Sequence, residues 1–227
     1  MLFFLLKFLE AYAGELLVPG AIIGFLFLGL ASRKLFGPDV LPYYAAASAI
    51  NTALFSLENS STLYLQFCFL FFSFYFLWGE RGKLLHPGSP LQARLFDSLL
   101  LFLVLLSASL ILASVSNMLG VGDEEKVAQT VEALPLYLLI FSFTIAPVTE
   151  ELFFRAFLVS RAGPIIATLL FAAVHHAYGS ISEIAGALFL GLILSYYFYW
   201  KKDVLPCILA HAAFNFLSVF FIKVIAG

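Results

Sequence analysis

The stretch Pro147–Arg161 reads Pro-Val-Thr-Glu-Glu-Leu-Phe-Phe-Arg-Ala-Phe-Leu-Val-Ser-Arg, and it decides how the whole chain is interpreted. It places Glu150, Glu151 and Arg155 in a run that is otherwise mostly apolar. Ionisable side chains are costly inside a bilayer, so they mark a functional site by default. On a helix, Glu151 and Arg155 are four residues apart and share a face, which predicts an ion pair. Glu150 is rotated from Glu151 by about 100°, and we expect its partner on another helix.

The composition around this stretch is that of a membrane protein. Of 227 residues, 63% are hydrophobic and 11% are charged, against about 25% charged in a typical soluble domain. Windows of about 19 residues give apolar runs at 14–32, 40–57, 61–79, 96–119, 134–160, 164–177, 183–200 and 204–225. We therefore predict an all-α, polytopic transmembrane bundle of about eight spans. The net charge of -2 gives no reason to expect nucleic acid as a partner.

Charges in the loops predict the orientation in the membrane. Cations follow the first, third, fifth and seventh runs, at Arg33, Lys34, Arg81, Lys83, Arg94, Arg161, Lys201 and Lys202. The alternate loops are mainly acidic, with Glu58, Asp123, Glu124, Glu125, Glu132 and Glu183. Because Lys and Arg stay on the cytoplasmic side, both termini are predicted outside. The first 13 residues are predicted to form an interfacial helix rather than a signal peptide, since charges interrupt their apolar run.

Polar side chains on three of the later runs fall at a common depth. Counted from the predicted cytoplasmic ends, Glu150 and His175 lie about 16 Å deep, His211 about 12 Å and Asn215 about 18 Å. Phe171 is four residues before His175, and His211 is four before Asn215, so each pair shares a helix face. We therefore expect these side chains to meet inside the bundle.

A carboxylate, two imidazoles and a carboxamide in one place suggest hydrolysis. Glu150 can act as the general base on a water molecule, with His175 helping to hold or deprotonate it. His211 and Asn215 can then donate hydrogen bonds to the oxyanion that forms. Glu150, His175 and His211 would equally make a three-ligand zinc site with an open water position. The side-chain types leave both chemistries open.

The chain carries three motifs in order on successive apolar segments: Glu150-Glu151-x-x-x-Arg155, Phe171-x-x-x-His175 and His211-x-x-x-Asn215. Together they resemble the CPBP intramembrane protease family, which includes the type II CAAX prenyl endopeptidases and the abortive-infection proteins. The resemblance covers about residues 134–225. It divides the single membrane domain 1–227 into N-terminal spans at 1–133 and a catalytic helical core at 134–225.

The resemblance implies a bundle of about eight spans with a conical cavity that opens toward the cytoplasm and the bilayer. It implies four catalytic residues, Glu150, His175, His211 and Asn215, and three supporting residues, Glu151, Arg155 and Phe171. In these roles Glu150 and His175 activate water, and His211 and Asn215 stabilise the oxyanion. A metal-free mechanism ranks first, with no cofactor, and zinc held by Glu150, His175 and His211 is the alternative.

The resulting hypothesis is a multi-pass membrane endopeptidase, located in the cell membrane if the source is prokaryotic. It cleaves a peptide bond near the cytoplasmic face, in a CAAX-type prenylated C-terminal peptide or in a bacteriocin or signal peptide. Its partners are then the lipid bilayer and the peptide substrate. Two other classes stay open: a non-catalytic immunity or scaffold protein that only binds in the cavity, and a proton-coupled transporter. Against a transporter, the polar groups lie in the second half only, without the matching interruption that inverted repeats give.

Overall fold

The computed structural model describes residues 63, 65–67, 69, 70, 73, 77 and 89–226. The chain divides into two compact units, Met1–Trp78 and Gly79–Gly227. The described residues of the first unit are helical. The predicted interfacial helix at 1–13, the spans at 14–32 and 40–57, and most of the span at 61–79 lie outside the described residues.

The second unit is built from helices, and the residues 89–226 contain no strand. Its α-helices are α1 Leu91–Leu119, α2 Glu124–Ala133, α3 Leu136–Glu150, α4 Ser160–Val174, α5 Ile181–Lys201 and α6 Leu205–Phe220. The π-helix Glu151–Val159 joins α3 to α4, the 3-10 turn His175–Tyr178 follows α4, and the π-helical segment Phe221–Ala226 follows α6. The all-α prediction is confirmed for this part of the chain.

Four stretches are long and apolar enough to cross a membrane: Leu91–Leu119, Leu136–Val174, Ile181–Lys201 and Leu205–Val224. They correspond to the five apolar runs predicted between residues 96 and 225, because Leu136–Val174 spans most of both 134–160 and 164–177. The chain is therefore an integral, multi-pass membrane protein. The total of eight spans and the orientation of the termini stay predictions.

The stretch Leu136–Val174 folds back on itself at Gly163. That residue has φ 82° and ψ 167°, a conformation that glycine adopts without steric cost. Beyond the break, the ring of Phe171 packs edge-on against that of Phe154, with 5.0 Å between centroids. The predicted boundary between the runs 134–160 and 164–177 is thus confirmed. The second arm, α4 beyond Gly163 with its 3-10 turn, is about 24 Å long, which is shorter than the ~30 Å hydrocarbon core.

One end of the unit is held together by charged side chains on α1, α5 and the turn before α6. The Arg94 guanidinium donates two hydrogen bonds to Asp203, from Nε at 2.6 Å and from Nη2 at 2.8 Å. The Tyr197 hydroxyl donates to Asp97 at 2.8 Å, and the Lys201 Nζ lies 3.5 Å from the same carboxylate. We name these five residues the ionic clamp. Arg94 and Lys201, which the loop charges assign to one side of the membrane, lie at the same end of the unit.

The opposite end is fixed by Asp123, which precedes α2. Its carboxylate accepts hydrogen bonds from the Ser180 hydroxyl at 2.7 Å and from the backbone N–H groups of Ser182 at 2.9 Å and Ile181 at 3.1 Å. These bonds, that of Ser180 above all, lower the pKa of the Asp123 carboxyl well below its usual range. The start of α5 is therefore tied to the loop that begins α2.

Candidate active site

The first motif, Glu150-Glu151-x-x-x-Arg155, lies where α3 changes into a wider π-helix. Pro147, inside α3, has no N–H to donate to the preceding turn, and the π-helix begins four residues later at Glu151. Such wide turns are frequent at functional sites. The side chain of Glu150 is 12% exposed and that of Glu151 is 0% exposed. The two adjacent carboxylates therefore have different environments, and only that of Glu150 is open to a small molecule.

A chain of polar contacts connects the first motif to the third. Arg155 Nη1 lies 3.1 Å from Glu151 Oε1, which confirms the predicted ion pair. The same Glu151 oxygen lies 2.8 Å from His211 Nδ1. Because an ionised carboxylate only accepts hydrogen bonds, Nδ1 of His211 carries a hydrogen atom and donates this hydrogen bond to Glu151. His211 Nε2 then faces Glu150 Oε2 at 3.9 Å, so the partner expected for Glu150 on another helix is His211 of α6.

Arg155 is enclosed on several sides in the interior. Its guanidinium carbon lies 4.3 Å from the centroid of the Phe171 ring, and its Nη2 donates to the Gly191 carbonyl at 3.3 Å. A Cβ added at Gly191 would lie 2.9 Å from the Phe171 ring and 3.4 Å from Arg155 Nη2. Sequence reasoning missed Gly191, although a glycine inside a helical run is a signal of close packing.

The charges in this interior are incompletely satisfied. Among the described residues, Glu151 Oε2 and the Nε and Nη1 atoms of Arg155 are buried without a hydrogen-bond partner. Buried polar groups are nearly always hydrogen-bonded, so such exceptions concentrate at functional sites. The supporting roles predicted for Glu151 and Arg155 stay predictions, and these contacts are consistent with them.

His175 lies in the 3-10 turn that follows α4 rather than within a continuous span. Its Nδ1 is 2.8 Å from the Phe171 carbonyl oxygen. A carbonyl accepts only, so Nδ1 carries the proton and the neutral ring presents Nε2 as its acceptor. The Phe171 ring centroid lies 4.5 Å from that of His175 and 6.2 Å from that of His211. Phe171 thus contacts Arg155 and packs beside both histidine rings.

Asn215 connects α6 to α3. Its Nδ2 donates a hydrogen bond to the Ser142 carbonyl at 2.9 Å. This is the interhelical bond that Asn commonly supplies in membrane bundles. The carboxamide has two N–H donors, and this bond uses one of them. The predicted contribution of Asn215 to an oxyanion site stays a prediction.

Glu183 was counted with the acidic loops, although the predicted apolar run 183–200 also begins at it, and the structure contradicts the loop assignment. It lies in the first turn of α5 rather than in an acidic loop, and it is half-buried. Its carboxylate interacts electrostatically with His175, Glu150 and His211. The signal in the sequence was Ser180-x-x-Glu183, the pattern of a helix start. Ser180 does cap α5, because its hydroxyl oxygen accepts the N–H of Glu183 at 3.1 Å.

The alternative zinc site at Glu150, His175 and His211 stays a prediction. Within the residues that the structure describes, no group of three His, Cys, Asp or Glu side chains could hold a metal ion. We therefore derive no chemical step through a metal. Whether activity depends on one stays a matter for measurement.

Comparison with known proteins gives one match. Residues 132–217 match the family model described as type II CAAX prenyl endopeptidase Rce1-like. No curated protein and no solved structure matches the chain. The matched segment is less than half of the chain, but it begins in α2, ends in α6 and contains all three motifs. The resemblance read from those motifs is thus confirmed: residues 132–217 are similar to the type II CAAX prenyl endopeptidase Rce1-like family, a family of proteases.

Proposed function

We propose that this protein is an intramembrane endopeptidase that hydrolyses a peptide bond near the cytoplasmic face of the membrane. Its substrate is a peptide with a CAAX-type C-terminus, in which the prenylated cysteine is followed by three residues. The observation that carries the proposal is the buried chain Arg155, Glu151, His211 and Glu150, which ends on a partly accessible carboxylate. The family match over the same segment supports the choice of reaction and of substrate class.

Glu150 is the general base in this proposal. Glu151 is completely buried, and its Oε1 atom is engaged by both Arg155 and His211, so it has no access to water. Glu150 retains some exposure. Its carboxylate takes a proton from a water molecule, and the oxygen of that water forms a bond to the carbonyl carbon of the scissile peptide.

His175 positions the attacking water. Because Nδ1 donates to the Phe171 carbonyl, Nε2 can accept a hydrogen bond from the second O–H of the water. The Phe171 ring beside His175 limits the rotation of the imidazole. Fixing both the water and its base before the substrate binds reduces the entropy cost of reaching the transition state.

His211 stabilises the oxyanion. The Glu151 carboxylate holds Nδ1 and so directs Nε2 to the side where Glu150 lies, from which an N–H group donates to the oxyanion. A preformed donor in a water-excluded site is worth about 3–4 kcal/mol to a developing oxyanion. The remaining N–H of Asn215 is the second donor. When the C–N bond breaks, the proton held by Glu150 passes to the leaving amine.

The test compares wild type with Glu150→Gln, each purified in detergent and treated with a chelator. The substrate is a fluorogenic prenylated C-terminal peptide, and bound metal is measured by elemental analysis. Glu125→Gln, in the exposed first turn of α2, is the matched control. We expect the Glu150 variant to lose about 10²- to 10⁴-fold in kcat with an unchanged Tm, while the control keeps wild-type activity.

The other outcomes separate the alternatives. Activity that returns only on addition of zinc supports the zinc mechanism. Equal cleavage by wild type and Glu150→Gln contradicts the role given to Glu150. If neither form cleaves the prenylated peptide, bacteriocin and signal peptides are tested next. A flux assay in proteoliposomes then distinguishes a transporter, which moves protons with its substrate, from a binding protein that tolerates loss of Glu150.

A further inference from the structure

Two hydroxyl groups meet in the interior between α4 and α5. Thr168 of α4 and Ser195 of α5 are each 1% exposed, and their hydroxyl oxygens lie 2.9 Å apart. Thr168 Oγ1 also lies 3.4 Å from the carbonyl oxygen of Gly191, which precedes Ser195 by about one turn of the same helix. Buried hydroxyl groups take protein atoms as their hydrogen-bond partners. Whichever hydroxyl donates in the 2.9 Å pair, the bond joins α4 to α5 at the level of Gly191.

The Gly191 carbonyl connects this hydroxyl pair to the candidate site. It accepts a hydrogen bond from Arg155 Nη2 at 3.3 Å, and Arg155 Nη1 lies 3.1 Å from Glu151 Oε1. The same Glu151 oxygen accepts a hydrogen bond from His211 Nδ1 at 2.8 Å. A displacement of the Gly191 carbonyl would therefore release one arm of the guanidinium and shift the carboxylate that orients His211.

Gly191 has no side chain with which to hold its own position, so its neighbours must fix it. The helix α4 supplies two such neighbours three residues apart on one face, the Thr168 hydroxyl and the Phe171 ring. A Cβ at Gly191 would lie 2.9 Å from that ring, so the ring limits how closely α5 approaches. A hydrogen bond is directional. The hydroxyl pair therefore sets the position of α5 along α4, which ring packing alone does not.

We propose that Thr168 is a positioning residue of this site. With Ser195 it holds the Gly191 carbonyl against Arg155. The end of the buried polar chain that lies farthest from Glu150 is thereby kept in one place, and the hydroxyl itself touches no reacting atom. The effect on cleavage rests on the function proposed above, but the effect on the histidine of the polar chain can be measured without any substrate.

The competing role for the Thr168 hydroxyl is local to its own helix. Its oxygen also lies 2.8 Å from the Pro164 carbonyl oxygen, four residues earlier on α4. Thr144 of α3 is the matched control, because it is exposed and its hydroxyl donates to the Ile140 carbonyl at 2.7 Å. Thr144→Val removes the same kind of bond, and that bond lies within one helix. A local role predicts that Thr168→Val and Thr144→Val behave alike.

The first readout is the Nδ1–H proton of His211, observed by NMR on the ¹⁵N-histidine-labelled protein in micelles and assigned with a His211→Asn variant. In Thr168→Val we expect this proton to exchange with solvent about 10-fold faster, the factor that loss of one hydrogen bond typically gives. In Thr144→Val its rate should stay within about twofold of wild type. The backbone amide protons of α6 are the internal control, since a general loosening of the bundle would speed them by the same factor.

The second readout is cleavage of the prenylated peptide. Thr168→Val should lower kcat about 10-fold and leave KM within about twofold, because it disturbs a transition-state interaction rather than substrate binding. Thr168→Ser keeps the hydroxyl and should restore kcat to near the wild-type value. Ser195→Ala should lower kcat and speed exchange of the histidine proton by a factor similar to that of Thr168→Val. The double variant should lose little more than either single one, since both residues act through one bond.

These outcomes separate failure of the inference from failure of the proposed function. If wild type cleaves no peptide, the function fails, and the His211 proton alone decides the role of Thr168. Equal exchange of that proton in wild type and in folded Thr168→Val overturns the inference, as does a faster exchange that the α6 amides share. If Thr168→Val does not fold, an unchanged His211 proton in Ser195→Ala overturns it instead.

Discussion

The molecule has two polar clusters built from the same kinds of side chain, and they differ in how far their charges are satisfied. One is the interior polar chain of Arg155, Glu151, His211 and Glu150, and the other is the ionic clamp. In the clamp, Arg94 meets Asp203 through two short hydrogen bonds, with side chains 15% and 7% exposed. In the interior, Arg155 and Glu151 are 0% exposed, and three of their polar atoms lack a hydrogen-bond partner. A bidentate pair near a helix end satisfies its own charges. The interior pair instead contacts groups from other helices, the His211 ring and the Gly191 carbonyl.

The difference indicates which region serves stability and which serves chemistry. An ion pair whose hydrogen bonds are all formed, like that of Arg94 and Asp203, can be removed at a modest cost in unfolding free energy. A buried pair that is only partly satisfied is costly to maintain, so its retention needs another explanation. Orienting His211 toward Glu150 is such an explanation, because Glu151 fixes which nitrogen of His211 faces the site.

The largest expected effect comes from breaking the interior pair. Arg155→Met leaves Glu151 buried without its cation, which should cost about 3–5 kcal/mol of unfolding free energy and abolish cleavage. Arg94→Met, in the clamp, should cost about 1.5–3 kcal/mol and leave kcat unchanged once folded. Unfolding monitored by circular dichroism in mixed micelles measures both. Equal losses of unfolding free energy in the two variants would contradict the proposed difference between the interior pair and the clamp.

A smaller effect is expected at the glycine that contacts the interior pair. Gly191→Ala should cost about 1–3 kcal/mol through overpacking against Phe171 and Arg155. Gly186→Ala is the matched control on the same helix, since a Cβ there meets nothing within 4 Å, and it should be neutral or slightly stabilising. The same unfolding assay gives both values. If the two variants behave alike, the Phe171 ring can move aside and the enclosure of Arg155 is not tight.

The smallest effect is expected at Asp123, far from the site. Its pKa is lowered in the folded protein, so its stabilising contribution is complete above the unfolded value of about 3.9. That contribution is lost as pH falls through the lower folded pKa. Tm of wild type should therefore decline below about pH 4 more steeply than Tm of Asp123→Asn. If Tm falls equally with pH in wild type and in Asp123→Asn, the hydrogen bonds from Ser180 and from the N–H groups of α5 do not favour the charged form of Asp123.

The sequence predicts the parts of the site that depend on spacing along one helix. The Glu151–Arg155 pair follows from a separation of four residues, and the break before Pro164 follows from glycine and proline chemistry. Contacts between helices are not encoded by such spacing. The bond between His211 and Glu151, the bond between Asn215 and Ser142, and the nitrogen that each histidine presents required the structure.

Glu183 shows why a rule based on loop charges is incomplete. Counting acidic residues between apolar runs places Glu183 in a loop, because a charge normally ends a membrane span. The helix in fact begins at Ile181, capped by Ser180, and so takes Glu183 into its first turn. At Glu183 the capping pattern predicts a helix and the charge pattern predicts a loop. The hydrogen bond from the Glu183 N–H to Ser180 fixes the helix.

The reversal at Gly163 also bears on how the protein is made. It brings the first two motifs together as one hairpin whose contacts are close in sequence, such as that between Phe154 and Phe171. His211 must reach Glu151 across 60 residues, and α6 leaves the ribosome after every other helix that carries a motif. A nascent chain therefore inserts its acidic hairpin first and completes the site only when α6 docks. Assembly order thus delays completion of the candidate site until the bundle is closed.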